Sequence, residues 1–530
     1  MLNMWKMVSI VWLLPVFVFG HFDISKMTLE EKVGQLLMVH FHGDVANEDA
    51  AILVQQVKVG GIIYYQWANG LTSPQQVARL SSSLQKLTLS NPVPIPLLIA
   101  TDQEGGVVAR LSDGFTIFPG NAALGATKDL SLAKKVAEAM GKEMASVGVN
   151  LNLAPVVDVN INPRNPVIGI RSFGTDPDSV TKFAQEYING LHNSGVATCL
   201  KHFPGHGDVS VDSHEDLPVV NKTLQQLNSV EFQPFAKLSS ITDCIMTAHL
   251  MVPALDGQHC ATLSPNILGY LRKKLRFEGV IITDSLVMDG LLKNCASIDE
   301  AAIQAIQAGC DIVLLGGKLL NGKGTEESTQ DVIRIHSTIV QAVKAGRISE
   351  AALNQSVARV LRLKKNFPVL PICAPVCFEE SHRQIALEVA RKAIHVAVQK
   401  KSLPLLRQSS CVVIAPRVVQ KTFESSSLSK VGKNVSFFFF DTLSPTEAET
   451  ANALEAVKHA DVGIFCSYNA WSKPMQAKLL EKLSSQRPCI HIVLRDPLDA
   501  TLASNANVIV TPYGFTLPSI EAVCERLLSL

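Results

Sequence analysis

Between about residues 30 and 317, short apolar runs rich in β-branched residues alternate with helical patterns. The runs cover 35–40, 61–65, 96–101, 150–159, 197–202, 244–249, 279–283 and 311–316. Eight such strands separated by amphipathic segments, among them 130–146 and 180–194, read as βα units. Strands that stay apolar throughout are covered on both faces, which belongs to parallel sheets. Eight units favour closure into a (β/α)8 TIM-type barrel over an open doubly wound sheet, the alternative arrangement.

The barrel takes up residues 21–366 of the 530. The proline-rich stretch FPVLPICAPVC opens a linker over 367–380. Residues 381–530 repeat the alternation on a smaller scale, with strand-like runs at 411–415, 435–440, 462–467, 490–494 and 508–511 and a helix over 447–459. That pattern predicts a smaller α/β sandwich domain of parallel type, so the whole chain is α/β. The run VSFFFF within it reads as a buried central strand.

Forty-eight Lys and Arg stand against forty-seven Asp and Glu, a formal net charge of +1. No global field is present to attract a phosphate backbone, and no nucleic-acid partner is expected. Lys6 precedes an apolar stretch over 7–19, with Gly20 after it. That stretch is shorter than the ~20 residues that span a bilayer, so residues 1–20 read as a signal peptide and an exported, periplasmic or extracellular protein. Membrane attachment would require this segment to stay uncleaved. Eleven cysteines are an odd number, and Cys199, Cys244 and Cys310 sit in apolar runs, so they read as small core residues rather than a disulfide framework. Cys373 and Cys377 are close enough in sequence for a disulfide or two free thiols.

In a barrel of this type the reactive groups cluster at the carboxyl ends of the strands. After the third strand comes TDQEGG with Arg110; after the fourth, Asp158 and then RSFG from Arg171. After the fifth comes KHFPGHGD, running on to Asp212-Ser-His-Glu215; after the sixth, His249; after the seventh, DSLVM from Asp284. His202 and His206 have zinc-motif spacing, but Pro204 and Gly205 between them break the helix that would aim both at one ion. No metal and no cofactor are therefore expected.

Asp212 and His214 are separated by one residue, and in an extended segment such residues project to the same side. A carboxylate touching the imidazole would orient it and stabilise its protonated form, making His214 a proton donor and acceptor. A solvated turn capped by Asp212 fits the same spacing. Asp284 suits either a helix N-cap or a nucleophile for an anomeric carbon. Asp102, Arg110, Arg171, Lys201 and His202 add donors and acceptors suited to a polyhydroxylated ring.

KHFPGHG followed by DSH, together with ITDSLVM, MTAHLMVPALD, VIGIRSFG and DQEGG, is similar to glycoside hydrolase family 3, in its β-N-acetylhexosaminidase branch, over residues 28–365. The resemblance implies a retaining exo-hydrolase that removes terminal β-linked N-acetylglucosamine from peptidoglycan fragments or chitin oligosaccharides. It implies Asp284 as nucleophile, His214 as general acid/base and Asp212 as its partner, with Asp102, Arg110, Arg171, Lys201 and His202 as sugar ligands. The D-x-H pair points to the acetamido sugar, because related β-glucosidases place a Glu from another region in the proton-donor role. Val107 departs from the family, which usually has an Arg directly after the two glycines; a local supporting ion pair is the feature this puts in doubt. A phosphorylase that resolves the intermediate with phosphate, and a noncatalytic muropeptide or chitin sensor, are the competing readings. The expected partner is a small oligosaccharide or muropeptide, and the expected state a monomer.

Overall fold

A computed structural model describes residues 23–212, 216–292, 295–317, 326–369, 372, 375–400, 404, 406–502 and 505–529. The proposed signal segment over 1–20, His214, Glu215 and Cys373 lie outside the described residues.

Eight parallel strands form the first sheet: β1 Leu37–Val39, β2 Gly61–Ile63, β3 Leu98–Thr101, β4 Leu151–Asn152, β5 Ala197–Phe203, β6 Cys244–Thr247, β7 Val280–Ile282 and β8 Val313–Leu315. From β1 to β7 each strand pairs with the next in chain order, and β8 pairs with β1. The remaining edges meet through an Ile282–Ile312 bridge, with Thr283 N–H donating to the Ile312 carbonyl at 3.0 Å. The sheet is therefore a barrel rather than an open doubly wound array.

Alternation inside strands that are buried on both faces explains why their sequences are mostly apolar, with polar residues gathered chiefly towards their carboxyl ends. Met38, Ile63, Leu98, Ala100, Leu151, Cys199, Cys244, Met246, Ile282 and Leu314 belong to the cluster that fills the barrel. Leu37, Val39, Ile62, Ile99, Leu200, Ile245, Ile281, Val313 and Leu315 belong to the layer packed under the helices. A one-residue slip would exchange these two sets. The helices Leu130–Ser146 and Pro177–Asn193 cover β3 to β5 and start on the Asp129 and Asp176 caps. The Glu380–Ala393 helix packs Ala386, Val389 and Ala393 into the same outer layer.

A second sheet contains β9 His395–Val398, β10 Ser410–Pro416, β11 Asn434–Phe440, β12 Val462–Ser467, β13 Cys489–Val493 and β14 Val508–Thr511. Their order is β9-β14-β13-β12-β10-β11, all parallel except β9, which runs antiparallel to β14. β11 corrects the expectation of a buried central strand. It pairs only with β10 and closes one edge, because the chain turns back across β10 to lay β12 on the other side. Its phenylalanines 437, 438 and 439 are half-buried, and Phe437 and Phe439 stack at 5.8 Å. Edge strand β9, short and half-exposed, has no counterpart in the sequence reading.

The ten described cysteines are free thiols, and most are buried among apolar side chains. No helix among the described residues is long and apolar enough to cross a membrane.

Candidate active site

The carboxyl ends of the barrel strands surround a cavity of about 540 Å³. Asp102, Arg110, Arg171, Lys201, His202, Asp212 and Asp284 all line it, so the structure brings the described catalytic and sugar-ligand candidates to one space, while Asp158, Asp208 and His249 are not part of the lining. His214, two residues beyond Asp212, is outside the described residues.

Its floor is a charge network. Lys201 Nζ donates to Asp102 Oδ1 at 2.7 Å and lies 2.7 Å from Glu104 Oε1. Arg171 grips Glu104 in bidentate fashion, Nε to Oε2 at 2.9 Å and Nη2 to Oε1 at 2.8 Å. Glu104 and Lys201 are each 2 % exposed. Burial alone would push the Glu104 carboxyl up, but Arg171 and Lys201 hold it far below the usual carboxylate range. Burial likewise opposes charge on Lys201, and Asp102 and Glu104 reverse the effect, raising its pKa. Two cations and two anions balance, which is what permits charges out of water to persist. Glu104 sits within the quoted DQEGG motif but was given no role from sequence.

Local structure explains the placement. Gln103, between the two carboxylates, points the other way: its N–H donates to Asn152 Oδ1 at 3.0 Å and its side chain pairs with both backbone groups of Leu111. That brace holds the ribbon of Gln103–Gly105 and Val108–Ala109, beyond which Arg110 N–H reaches the Asp102 carbonyl at 3.3 Å. Arg171 ends a short turn, Gly169–Arg171, whose last carbonyl accepts from Asn121 at 2.7 Å.

His202 is held from behind. Its Nδ1–H donates to Asp158 Oδ2 at 2.7 Å, while Asp158 Oδ1 accepts the His206 N–H at 2.6 Å. Asp158 is fully buried; burial opposes its ionisation, yet the His202 ring and these donors lower its pKa below the ordinary value. Burial lowers His206 to about 4. Gly207 permits this packing, since a Cβ there would stand 1.8 Å from the Val159 carbonyl oxygen. Asp208 turns away to pair with Lys222 at 2.6 Å. On the opposite rim, the Asp284 carboxylate accepts the Ser285 N–H at 2.7 Å and its own N–H reaches the Thr247 carbonyl at 3.2 Å. His249 Nε2–H donates to the Ser285 carbonyl at 2.8 Å and so fixes that turn from below.

Tyr65 and Trp67, stacked at 5.2 Å, form one wall, and Val107 is part of the lining. Tyr468 follows β12, Arg495 follows β13 and Phe515 follows β14, so the carboxyl ends of the second sheet close the cavity from above. Arg495 lies over the Tyr468 ring at 5.1 Å and donates to its hydroxyl at 2.9 Å. None of these three was marked from sequence.

Residues 28–363 match the glycosyl hydrolase family 3 N-terminal domain. The chain belongs to glycosyl hydrolase family 3. It is 33% identical over 475 residues to a β-hexosaminidase A of Pseudoalteromonas piscicida, covering 82% of this chain and 78% of that one. A β-hexosaminidase of Haemophilus influenzae is 35% identical over 285 residues, 53% of this chain and 78% of its own. Among solved structures, a family 3 β-N-acetylglucosaminidase from Paenibacillus sp. str. FPU-7 superposes with a TM-score of 0.88 at 33% identity, over 95% of this chain and 97% of that one. Members of the family are hydrolases of glycosidic bonds, and both domains described above are within the superposed length.

Proposed function

We propose that this glycoside hydrolase is a retaining exo-β-N-acetylglucosaminidase, acting on terminal β-linked GlcNAc of peptidoglycan fragments or chitin oligosaccharides. The observation that carries the reading is the shared cavity: Asp284 on the seventh rim and Asp212 on the fifth line one space floored by the Asp102, Glu104, Lys201 and Arg171 network. In the proposed reaction a terminal sugar is held by Asp102, Arg110, Arg171, Lys201 and His202. An Asp284 oxygen attacks C1 as the C1–O glycosidic bond breaks, and His214, oriented by Asp212, gives its proton to the departing oxygen. His214 then takes a proton from water, whose oxygen displaces Asp284 and leaves the sugar in its β configuration. A neutral imidazole as base adds no negative charge beside the nucleophile. The N-terminal segment supports export.

The test is to incubate purified protein with chitobiose and with peptidoglycan digests and to weigh the released monosaccharide, with and without phosphate. Free GlcNAc in both conditions is expected; a sugar phosphate would replace water with phosphate as acceptor. A fluorinated substrate analogue is expected to leave its mass on the peptide containing Asp284, and Asp284→Ala to abolish turnover. Label on another peptide, or accumulation of an oxazoline formed by the acetamido group, would overturn the nucleophile assignment.

A further inference from the structure

The barrel rim carries a second cluster of donor atoms, apart from the proposed reacting groups. His40 and His42 follow β1, and Glu326 lies downstream of β8. One imidazole nitrogen from each histidine and one carboxylate oxygen lie within 4.8 Å of one another. His42 Nε2 is 2.6 Å from Glu326 Oε2, with His42 side chain 59% exposed and Glu326 25%. His40 is 4% exposed. Its Nδ1 makes a long contact of 3.4 Å to the Leu315 carbonyl.

A carbonyl only accepts, so that contact places a proton on Nδ1 and leaves the lone pair on Nε2. His40 Nε2 is shut from solvent and has no hydrogen-bond partner among the described residues. A buried polar atom left unsatisfied is costly, so this one calls for a partner. An imidazole backed by a carbonyl on its far nitrogen is the arrangement that orients histidine ligands.

We propose that His40, His42 and Glu326 bind a single divalent transition-metal ion, of the Zn²⁺ or Co²⁺ class, with water completing its shell. Two imidazoles and one carboxylate select such ions over Mg²⁺ and Ca²⁺, which favour all-oxygen shells. Ligand atoms about 2.1 Å from a tetrahedral ion stand ~3.4 Å apart, so His42 and Glu326 open by a little under an ångström and the three groups otherwise draw together; the exposure of His42 gives it room. The ion would tie the end of β1 to the segment beyond β8. It would also sit beside Trp67, whose ring centroid is 5.2 Å from that of His40 and 5.5 Å from that of His42.

Titrating the full chain with Co²⁺ tests this by two readouts, the visible absorption of bound cobalt and quenching of tryptophan emission. One saturable site is expected, displaced by Zn²⁺ but not by excess Mg²⁺, with the quench largely lost in Trp67→Phe. His42→Ala, at an exposed position, and Glu326→Gln, at a half-buried one, are each expected to weaken binding by roughly a hundredfold, in line with loss of one of three protein ligands. His40→Ala should do the same. Cobalt binding that survives His42→Ala and Glu326→Gln, or that is lost only in Asp212→Asn, would overturn the assignment by placing the ion at the cavity carboxylates; absence of a saturable site would also overturn it.

Discussion

Lys201 Nζ and Asp102 Oδ1 meet at 2.7 Å across the ends of β5 and β3, and the same ammonium lies 2.7 Å from Glu104 Oε1 in the cavity floor. Glu104 therefore sets the charge balance that keeps Lys201 and Arg171 in place. Glu104→Gln removes one anion and leaves two buried cations facing Asp102 alone. The expected loss is about 3 kcal/mol of stability, read from denaturant unfolding, together with a fall in kcat/KM of roughly a hundredfold as the proposed sugar ligands shift. An activity loss with unchanged stability would mean that Glu104 acts on substrate rather than on the network.

Asp158 bonds His202 Nδ1 and the His206 N–H from the interior. Asp158→Asn replaces one acceptor oxygen by an amide that donates, so His202 must turn or change tautomer, and kcat/KM should drop by ~10- to 100-fold. The carboxyl titrates lower in the folded chain than in the unfolded one. Its stabilising contribution is then fully present above the unfolded value of ~4 and lost as pH falls through the folded one. Acid unfolding curves should show a flatter decline below that pH in Asp158→Asn than in the parent.

The barrel is legible in the sequence because each strand is buried on both faces and appears as a mostly apolar run, with polar residues gathered chiefly near the carboxyl end. Asp102, Lys201 and Asp284 are found this way. Glu104 and Asp158 are present in the same stretches, but nothing in a linear pattern says that Glu104 pairs with Arg171 and Lys201 in the cavity floor while Asp158 is buried behind His202. Tyr468, Arg495 and Phe515 follow three separate strands of the second sheet and acquire a common role only when that sheet lies over the barrel. β11 misleads because four consecutive phenylalanines read as interior, whereas strand order places them at an edge. His42 and Glu326 are 284 positions apart and share no motif.

Lys364 is buried in the last barrel helix, Glu350–Asn366, and its Nζ donates to Gln35 Oε1 at 2.6 Å. Burial pushes its pKa down to about 7. Below pH ~7 the folded and unfolded chains both hold the proton, and the folded chain carries the cost of a buried ammonium in full. Between there and the unfolded value of ~10.4 only the unfolded chain binds it, so stability rises with pH across this window, by up to about 3 kcal/mol after allowing for the Gln35 bond. Lys364→Met abolishes this slope and should be the more stable protein at pH 6. Urea midpoints for the two proteins at pH 6, 7.5 and 9 check it: a constant difference across the series would mean that Lys364 does not lose its proton on folding.

Arg495 stands above the cavity with one nitrogen on the Tyr468 hydroxyl and its plane over that ring. It comes from the second domain, on the side opposite the Glu104 and Lys201 floor, and so falls where the group attached to the terminal sugar would emerge. A guanidinium fixed at one nitrogen keeps other donors for an anion. Arg495→Ala should raise KM roughly tenfold for a substrate whose leaving sugar bears a carboxylate, as in peptidoglycan fragments, matching loss of one charge-assisted bond of about 1.5 kcal/mol. For neutral chitobiose the rise should be no more than about twofold, since only packing against Tyr468 is lost. Raising salt should narrow the gap between the two substrates in the parent and leave the variant unaffected. Equal losses on both substrates would show instead that Arg495 acts by holding Tyr468 and the second domain in place.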